Sequence, residues 1–474
     1  MSKEARGRLH EEFAGWVEHA AAERVGEYEE IIGYHLEHAY RYRVELRPVD
    51  AAARALARRG ATRLTGAGQR ALASGDVMAA RNLLSRAVSL LPAGDPSRTA
   101  LLPVLGEALL ATGDFEGAEA VLAEAVESAA DSGDRGVEAY ALLGRAWLRL
   151  LTQPEGGAAA ARETVERAIP VFQALGDEGG LAVGGRLLGI VQVMWGKFGE
   201  AEGIMEQAAM HARRAGDRRE ELESLSWLPL IVWGGPTPPE EGIARCQEIL
   251  EQAGGDRRIG ATVLFIQALY DAMLGRFVEA RDRLARSREI LEDLGLQVWM
   301  VGPFAQTCGR VELLAGDPAA AEAALQPACE RLEQMGEYAW LPTGAGLLVQ
   351  ALYAQRRYDE AESVSVLSEQ AAASDDVYSQ VLWRAGRAKA SARRGRMEDA
   401  ERLGREAVAL AETTDFLQLH GEALSDLAEV LALAGRTDEA LDLLRQAITV
   451  FEQKGSDVSV RDARRRAESP QALA

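Results

Sequence analysis

The stretch Gly113–Ala125, GDFEGAEAVLAEA, decides the fold because copies of it recur along the whole chain. Each copy opens with a glycine and a charged residue, and an alanine lies five residues after the glycine. Clear copies begin at Gly75, Gly113, Gly196, Gly275, Gly316, Gly395 and Gly435, and weaker copies surround Ala161, Ala244 and Ala361. This recurrence predicts a chain built from one repeated structural unit.

The alanine five residues after the glycine marks the period of the repeat. The markers are Ala80, Ala118, Ala161, Ala201, Ala244, Ala280, Ala321, Ala361, Ala400 and Ala440. The nine steps from the first marker to the last span 360 residues, which gives 40 residues per repeat. A period between about 20 and 50 residues is typical of a solenoid.

Each repeat has the pattern of two helices joined at the glycine. The stretch Thr99–Thr112, TALLPVLGEALLAT, is apolar at helical spacing, and the stretch after the turn, FEGAEAVLAEAVESAA, is amphipathic. Glycine suits the left-handed residue that closes a helix, and Asp114 can cap the helix that follows. Alternating strand patterns are absent from the sequence, so an all-α fold is predicted.

Small residues recur at two further offsets from the markers. Twelve residues before the marker lie Gly68, Gly106, Gly189, Ala268, Gly309, Ala388 and Ala428, and seven residues after it lie Ala87, Ala125, Ala168, Ala208, Ser287, Ala328, Ser368, Ala407 and Ala447. In the third repeat, Tyr140, Leu143, Gly144 and Trp147 have the spacing W-x2-L-G-x2-Y. Side chains this small let two helices approach closely.

Over roughly residues 50–455 this pattern resembles the tetratricopeptide repeat (TPR) family. The resemblance implies a right-handed α-solenoid superhelix of about ten TPR-like helix-turn-helix repeats. The 40-residue period exceeds the common 34, which implies longer helices and a wider superhelix. We expect a helical head at 1–47, the repeat array at 48–455, and a capping helix with a tail at 456–474.

The segment before the first repeat indicates a parent family. Tyr28–Leu46, YEEIIGYHLEHAYRYRVEL, together with HEEFAGWVEH, resembles the junction in bacterial AAA/STAND signalling ATPases, including adenylate cyclase fusions, where a TPR sensor region follows the ATPase. The chain has no GxxxxGK[ST] phosphate loop, so the ATPase itself is absent. The resemblance therefore implies a sensor or regulatory role in signal transduction and no catalytic residue.

Composition narrows the class of protein. The 474 residues carry 73 acids against 53 bases, a formal charge of −20, which argues against nucleic acid as a partner. The three cysteines, Cys246, Cys308 and Cys329, are far apart and read as reduced core thiols. No apolar run is long enough for a membrane span and no signal core is present, so a cytoplasmic protein is predicted.

Histidines concentrate at the N-terminus without a catalytic arrangement. His35 and His38, at i and i+3, share a helix face that could hold a metal, or they flank an aromatic-rich helix packed on the first repeat. We favour the second interpretation and predict no metal and no cofactor. Because no Ser-His-Asp or Cys-His set can be nominated, we predict that the protein is not an enzyme.

The resemblance also implies a ligand groove lined by the first helix of each repeat. Transferred by register, the groove contains Val183, Arg186, Ile190, Thr262, Phe265, Leu269, Gln306, Arg310, Gln350, Tyr353, Lys389, Arg393, Glu422, Ser425 and Glu429. The binding residues predicted from this set, with Trp233 added, are Arg186, Ile190, Trp233, Phe265, Gln306, Arg310, Gln350, Tyr353, Lys389 and Arg393. Apolar members can equally be core between repeats, and the bases can pair with neighbouring acids.

The fifth repeat is the most irregular. In Ser226–Gly242, SWLPLIVWGGPTPPEEG, we expect Pro229 to break the first helix and the later prolines to extend a protruding loop. Trp227 and Trp233 then either form a lip over the groove or return to the core. We favour the core.

These patterns favour a non-catalytic module that binds a protein or peptide segment in the groove. The bases on groove positions predict a segment that is partly acidic. Two alternatives remain open. One is a repeat domain that senses a small molecule in an apolar pocket near Phe265 and Tyr353, and the other is a scaffold that self-associates as a homo-oligomer.

Overall fold

Helices form all the regular structure of the described residues, 1–153 and 155–468 of a computed structural model. The N-terminal helices are α1 (Lys3–Ala21), α2 (Glu29–Leu46), α3 (Ala51–Ala73), α4 (Val77–Leu90), α5 (Pro96–Ala111), α6 (Phe115–Ser132), α7 (Arg135–Thr152) and α8 (Gly157–Leu175). The central helices are α9 (Glu178–Met194), α10 (Phe198–Ala215), α11 (Arg218–Gly234), α12 (Pro239–Gln252), α13 (Arg257–Met273), α14 (Phe277–Asp293), α15 (Gln297–Trp299) and α16 (Ala305–Ala315). The C-terminal helices are α17 (Pro318–Met335), α18 (Leu341–Ala354), α19 (Tyr358–Ala371), α20 (Val377–Arg393), α21 (Met397–Glu412), α22 (Leu417–Leu433), α23 (Thr437–Lys454) and α24 (Asp457–Glu468). The all-α solenoid prediction is confirmed, and the end of the expected tail, 469–474, lies outside the described residues.

The repeated glycine closes one helix and starts the next. Gly113 has φ of 76°, a left-handed conformation that glycine adopts without a steric penalty. The Asp114 carboxylate then accepts a hydrogen bond from the Gly117 backbone N–H at 3.0 Å and caps α6. The turn chemistry expected from the repeated phrase is therefore present.

The hairpins close at the small residues. The marker alanines Ala80, Ala118, Ala201, Ala280, Ala321, Ala361, Ala400 and Ala440 are all fully buried. A Cβ atom added to Gly309 would lie 2.6 Å from Leu325, and one added to Gly106 would lie 2.7 Å from Leu122. Both leucines lie four residues after a marker. The two helices of a hairpin therefore meet without room for a methyl group.

The fifth repeat departs from its expected shape. Pro229 does not break the first helix, because α11 runs through it to Gly234 and buries it. The protruding loop is also wrong, since α12 begins at Pro239 after a short connection. Trp233 is buried and Trp227 stacks on Trp340, so the favoured return of these tryptophans to the core is confirmed. Burial of the surrounding apolar side chains outweighs the one helical hydrogen bond that proline removes.

The register of the same repeat shifts by two residues. The marker Ala244 is exposed, whereas a Cβ atom on Gly242 would lie 2.2 Å from Tyr270. Gly242 therefore takes the close-packed place that the period assigned to Ala244. A second irregularity precedes α16, where a π-helical segment spans Met300–Phe304 and includes the non-helical Gly302.

The chain divides into two compact units. Unit 1 comprises residues 1–148 and 167–180, and unit 2 comprises residues 149–166 and 181–474. In unit 1 the head helices α1 and α2 bury Ile32 and Leu36 against α3. Unit 2 holds the three cysteines, all buried, and burial raises the pKa of the Cys246 thiol to about 12. These thiols are unreactive at neutral pH.

The close hairpin contact is tested by a matched pair of glycine substitutions in unit 2. We expect Gly309→Ala to destabilise the fold by about 1–3 kcal/mol, because the buried Leu325 must move. We expect Gly203→Ala, on the exposed face of α10 with open space around it, to stabilise by about 0.5–1 kcal/mol. Denaturant unfolding monitored by circular dichroism measures both, and equal effects would contradict the packing.

Candidate functional site

The first helices of the hairpins in unit 2 turn one face towards a common axis. Side chains on this face meet partners one to three hairpins further along the chain. The set formed by Arg310, Gln350, Tyr353, Tyr378, Lys389, Arg393, Glu422, Asp426 and Glu429 is called the inner network below. Side chains from helices 68 to 112 residues apart in sequence contact one another in this network.

Arg310 on α16 makes the longest-range contact of the inner network. Its Nη1 and Nη2 atoms donate to the two carboxylate oxygens of Glu422 at 3.0 and 3.3 Å, across 112 residues. Its Nε donates to the Tyr378 hydroxyl at 2.7 Å, and its guanidinium stacks 5.3 Å from the Trp233 ring. Burial alone would lower the pKa of Arg310, but Glu422 and Tyr378 outweigh burial and raise it. Arg310 is thus a fixed positive charge at the axis.

Lys389 on α20 forms the second pair. Its Nζ lies 2.7 Å from an Asp426 carboxylate oxygen and donates to the Gln350 carbonyl oxygen at 2.7 Å. The Gln350 amide donates in turn to the other Asp426 oxygen at 3.2 Å. Burial raises the pKa of Asp426, and the nearby Lys389 opposes that rise. The three side chains therefore satisfy one another in a closed triangle.

Arg393 and Tyr353 form the third group with Glu429. The Tyr353 hydroxyl donates to the Glu429 carboxylate, and Arg393 donates to Tyr353 at 3.0 Å and to Glu429 at 3.0 Å. Burial raises the pKa of Tyr353, and Glu429 raises it further. Tyr353 therefore remains a neutral hydrogen-bond donor at any physiological pH.

All three carboxylates of the inner network come from one helix. Glu422, Asp426 and Glu429 lie at i, i+4 and i+7 of α22, which places them in a row along one face. Each faces one base from α16 or α20. The inner network is therefore charge-balanced, and its bases have the spacing to hold a row of carboxylates.

The remaining predicted residues lie apart from this network or beside it. Arg186 pairs with Glu220 at 2.6 Å, Gln306 donates to the Trp340 carbonyl at 2.8 Å, and Ile190 is buried. Phe265 packs edge-on against Phe304, and Trp233 packs on Phe416 beside Arg310. The structure thus brings Trp233, Arg310, Gln350, Tyr353, Lys389 and Arg393 together, and does not bring Arg186, Ile190, Phe265 or Gln306 to them.

Sequence reasoning missed three members of this region. Asp426, Tyr378 and Phe416 were not selected by the groove register. Asp426 could have been found from its position four residues after Glu422 on the same helix face. Tyr378 and Phe416 lie at the first residues of their hairpins, where no periodic signal distinguishes inner from outer positions.

Successive turns of unit 2 touch along a line that is called the seam below. It joins residues 155–159 to 374–375, residues 196–199 to 413–416, and residues 233–239 to 454–455. The bonded residues are 216 to 221 apart in sequence, the length of between five and six 40-residue repeats.

The middle contact of the seam supplies a helix cap from a distant loop. The copy of the repeated phrase at Gly196 has Lys197 where the copies at Gly75, Gly113 and Gly316 have a capping aspartate. The Asp415 carboxylate takes that role, accepting from the Phe198 and Gly199 backbone N–H groups at 2.9 and 2.8 Å. A carboxylate at a helix N-terminus is favoured by both hydrogen bonding and the helix dipole.

The third contact of the seam is made by a buried lysine. The Lys454 ammonium, fully buried at the end of α23, donates to the carbonyls of Trp233, Gly235 and Thr237 at 2.8, 2.6 and 2.8 Å. These carbonyls lie at the end of α11 and just beyond it, where helical partners run out. Burial lowers the pKa of Lys454 to about 7, and the Asp415 carboxylate opposes that shift.

The first contact of the seam consists of two hydrogen bonds. The Ser374 hydroxyl donates to Glu155 at 2.9 Å, and the Ala159 backbone N–H donates to Asp375 at 3.3 Å.

A surface cavity of about 370 Å³ lies elsewhere, between α19, α20 and α21. Its walls are charged and surround Trp383. The residues that were to line an apolar pocket, Phe265 and Tyr353, are instead packed and buried.

The head helices gather histidines and aromatic rings. The Nδ1 atoms of His10 and His35 lie 2.8 Å apart, and the His38 ring stacks 5.2 Å from His10. His35 and His38 therefore lie in a cluster of aromatic rings that includes Phe13 and Tyr34. Among residues 1–153 and 155–468, no group of three or more His, Cys, Asp or Glu side chains is arranged to hold a metal ion.

The paired helices repeated within each unit define the protein as a helical-repeat α-solenoid. Residues 71–145 and residues 378–453 each match a model of the tetratricopeptide repeat family. Tetratricopeptide repeats are therefore present in both units. Repeats of this family generally mediate interaction between proteins, and the architecture resembles that of non-catalytic binding modules.

Solved structures share this fold at low sequence identity. A Rap protein complexed with Competence and Sporulation Factor aligns with a TM-score of 0.54 and 15% identity, over 75% of this chain and 98% of that one. The APC/C hetero-tetramer Cut9–Hcn1 aligns with a TM-score of 0.51 and 13% identity, over 100% of this chain and 94% of that one. Identities this low show the fold alone.

A third solved structure aligns over most of this chain. It is a STAND protein with a tetratricopeptide repeat sensor from Pyrococcus horikoshii, at a TM-score of 0.35 and 14% identity, over 92% of this chain and 57% of that one. A TM-score this low carries no argument about function. A search of curated protein sequences finds no match. None of the described helices is both long and apolar enough to cross a membrane.

The pKa shifts of the head histidines predict that the head becomes less stable at acidic pH. Burial lowers the pKa of His10, and His38 lowers it further, while burial and both neighbouring histidines lower the pKa of His35. The unfolded head therefore binds more protons than the folded head below about pH 6.5, so its stability falls as the pH drops. We expect hydrogen exchange of the α1 backbone to be faster at pH 5.5 than at pH 7, after correction for intrinsic rates.

The control for this prediction is His10→Phe, which removes one charge from the cluster and keeps the ring. We expect the difference between the two pH values to shrink in the variant. An unchanged pH difference would show that the histidine cluster is not its source.

Proposed function

We propose that this protein is a regulatory module of a signalling system that binds a protein or peptide segment along the inner network of unit 2. The observation that carries the proposal is the row of bases on α16 and α20 that holds the row of carboxylates on α22. A surface that already binds acids in a regular row has the chemistry to bind a partner that presents acids in the same way.

The composition of the inner surface defines the chemistry of the bound segment. Arg310, Lys389 and Arg393 supply directed donors for carboxylates, whereas Trp233 and Phe416 are apolar rings that are buried beside Arg310. Arginine and aromatic side chains contribute much of the affinity at protein interfaces. The segment is therefore partly acidic and partly apolar.

Two further observations support the regulatory role. The segment Tyr28–Leu46 resembles the junction that precedes TPR sensors in signalling ATPases. The Rap protein that shares this fold was solved in complex with Competence and Sporulation Factor. A protein of similar fold therefore exists in a complex with a bound factor, which supports the type of binding proposed for this chain.

The proposal is tested by reversing charge at the inner surface. A partner is captured with the full chain as bait, identified, and titrated by calorimetry against the wild type and Arg393→Glu. We expect the variant to bind at least about tenfold more weakly, since a desolvated charge pair between partners exceeds 1.4 kcal/mol. Arg393 is suitable because its side chain is about a quarter exposed, so its reversal perturbs the fold least.

The matched control is Arg445→Glu, a largely exposed arginine on α23 whose partner Asp442 lies three residues away. We expect its affinity to stay within about twofold of the wild type, because exposed pairs contribute little. Circular dichroism establishes that both variants are folded. Wild-type affinity in a folded Arg393→Glu protein would contradict binding at the inner network.

A further inference from the structure

The seam is an addition to the solenoid and not a part of its construction. In a repeat array each unit is stabilised by its immediate neighbours. Here α20 packs on α21 and α22, and α22 packs on α23, as that rule requires. The contacts of the seam instead join loops 216 to 221 residues apart. A small change of rotation at each repeat would separate these loops and leave the neighbouring interfaces packed.

The seam and the inner network are connected through α22. Arg310 is only 7% exposed, and its partner Glu422 lies three hairpins further along the chain. The loop that caps α10, residues 413–416, leads directly into α22, which carries the three carboxylates. If the middle contact of the seam separated, α22 would be free to move away from α16, and the Arg310 guanidinium would then lose Glu422 as its neighbour.

We infer that the seam is a latch on the binding surface, and that a partner segment reaches the inner network only when the contacts of Asp415 and Lys454 have separated. The inference rests on the proposed function, since it concerns access to the same surface. The carboxylates of the partner then compete with Glu422 for Arg310. When they replace Glu422, the free energy of the seam contacts is lost.

The chemistry of the latch suits reversible opening. The contacts of Asp415 and Lys454 are polar and lie at helix ends and in loops, and the buried rings of Phe198, Trp233 and Phe416 pack beside them. Lys454 is held by neutral carbonyls, and burial lowers the pKa of its ammonium to about 7, so the closed site disfavours the charge it encloses. The charged and titratable groups facing it are the Asp415 carboxylate and the Tyr270 ring, which lies 5.6 Å away. The hydration of a free ammonium favours the open state.

The two backbones approach each other so closely across the seam that the loops can dock in only one alignment. A Cβ atom on Gly196 would lie 2.4 Å from the Thr414 methyl group, and one on Gly455 would lie 2.9 Å from the Pro239 ring. Both glycines have positive φ, so they serve the turn and the contact at once. The Asp415 N–H also donates to the Gly196 carbonyl at 3.1 Å. The two loops therefore dock in one register.

Spin labels across the seam measure opening directly. Labels are placed on Glu200→Cys in α10 and Ala409→Cys in α21, which are both exposed. The native cysteines do not interfere, because burial raises the pKa of each to about 12. The reference pair, Glu200→Cys with Glu241→Cys, joins neighbouring hairpins on α10 and α12 and reports distances that opening leaves unchanged.

The unlatched protein is the double variant Asp415→Ala, Lys454→Met. We expect the wild type to give one short distance across the seam with an open fraction below about 10%, as for a minor state. We expect more than half of the unlatched protein to show a longer distance, with the reference pair unchanged. If the double variant does not fold, Lys197→Ala removes only the Thr413 contact and shifts the same distribution in the same direction.

The binding arm uses a synthetic peptide of residues 417–433, which carries the same three carboxylates at i, i+4 and i+7. We expect it to bind the unlatched protein at least tenfold more tightly than the wild type. An unchanged distance distribution in a folded, unlatched protein overturns the latch. A shifted distribution without any peptide binding leaves the latch standing and contradicts the proposed function, so the two failures are distinguishable.

Discussion

A guanidinium enclosed at the axis of unit 2 must be neutralised where it lies, and this constraint governs the rest of the unit. Arg310 cannot lose its proton, so burial requires a carboxylate within reach. The structure supplies Glu422 from a helix 112 residues further along the chain. For that carboxylate to arrive, the intervening hairpins must curve until α22 faces α16. The curvature then brings successive turns into contact, and the seam follows from it.

A buried ion pair of this type is weak evidence for added stability. Removing two charges from water costs several kcal/mol, which the attraction between them only partly returns. The ion pair instead contributes to specificity. Any other curvature of the unit would leave the buried Arg310 charge without a carboxylate, and that curvature is therefore disfavoured. The closed triangle of Lys389, Gln350 and Asp426 and the contacts of Glu429 add to the same selection. The inner network thus defines one superhelical pitch, and the seam holds it.

The local structure was predictable from the sequence, and the global curvature was not. The period, the turn glycines and the small residues act within one hairpin, so the sequence alone assigns Gly106 and Gly309 to close contacts. Pitch depends on the sum of small rotations over several hairpins, which no single residue encodes. The pairing of Arg310 with Glu422 and the cap from Asp415 therefore could not be predicted, although Arg310 and Glu422 were both assigned to inner positions. The failures at Pro229 and Ala244 have a local cause, because packing overrode the sequence signal there.

The curvature of unit 2 depends on the coupling between Arg310 and Glu422, which a double-mutant cycle measures. Arg310→Met, Glu422→Gln and the double variant are compared with the wild type by denaturant unfolding. If the Arg310 and Glu422 side chains are in contact, we expect a coupling energy of about 1.5–3 kcal/mol, as for residues that share one buried network. A coupling below about 0.5 kcal/mol, the level of independent sites, would mean that the two side chains do not meet in solution and that the axis of unit 2 is open.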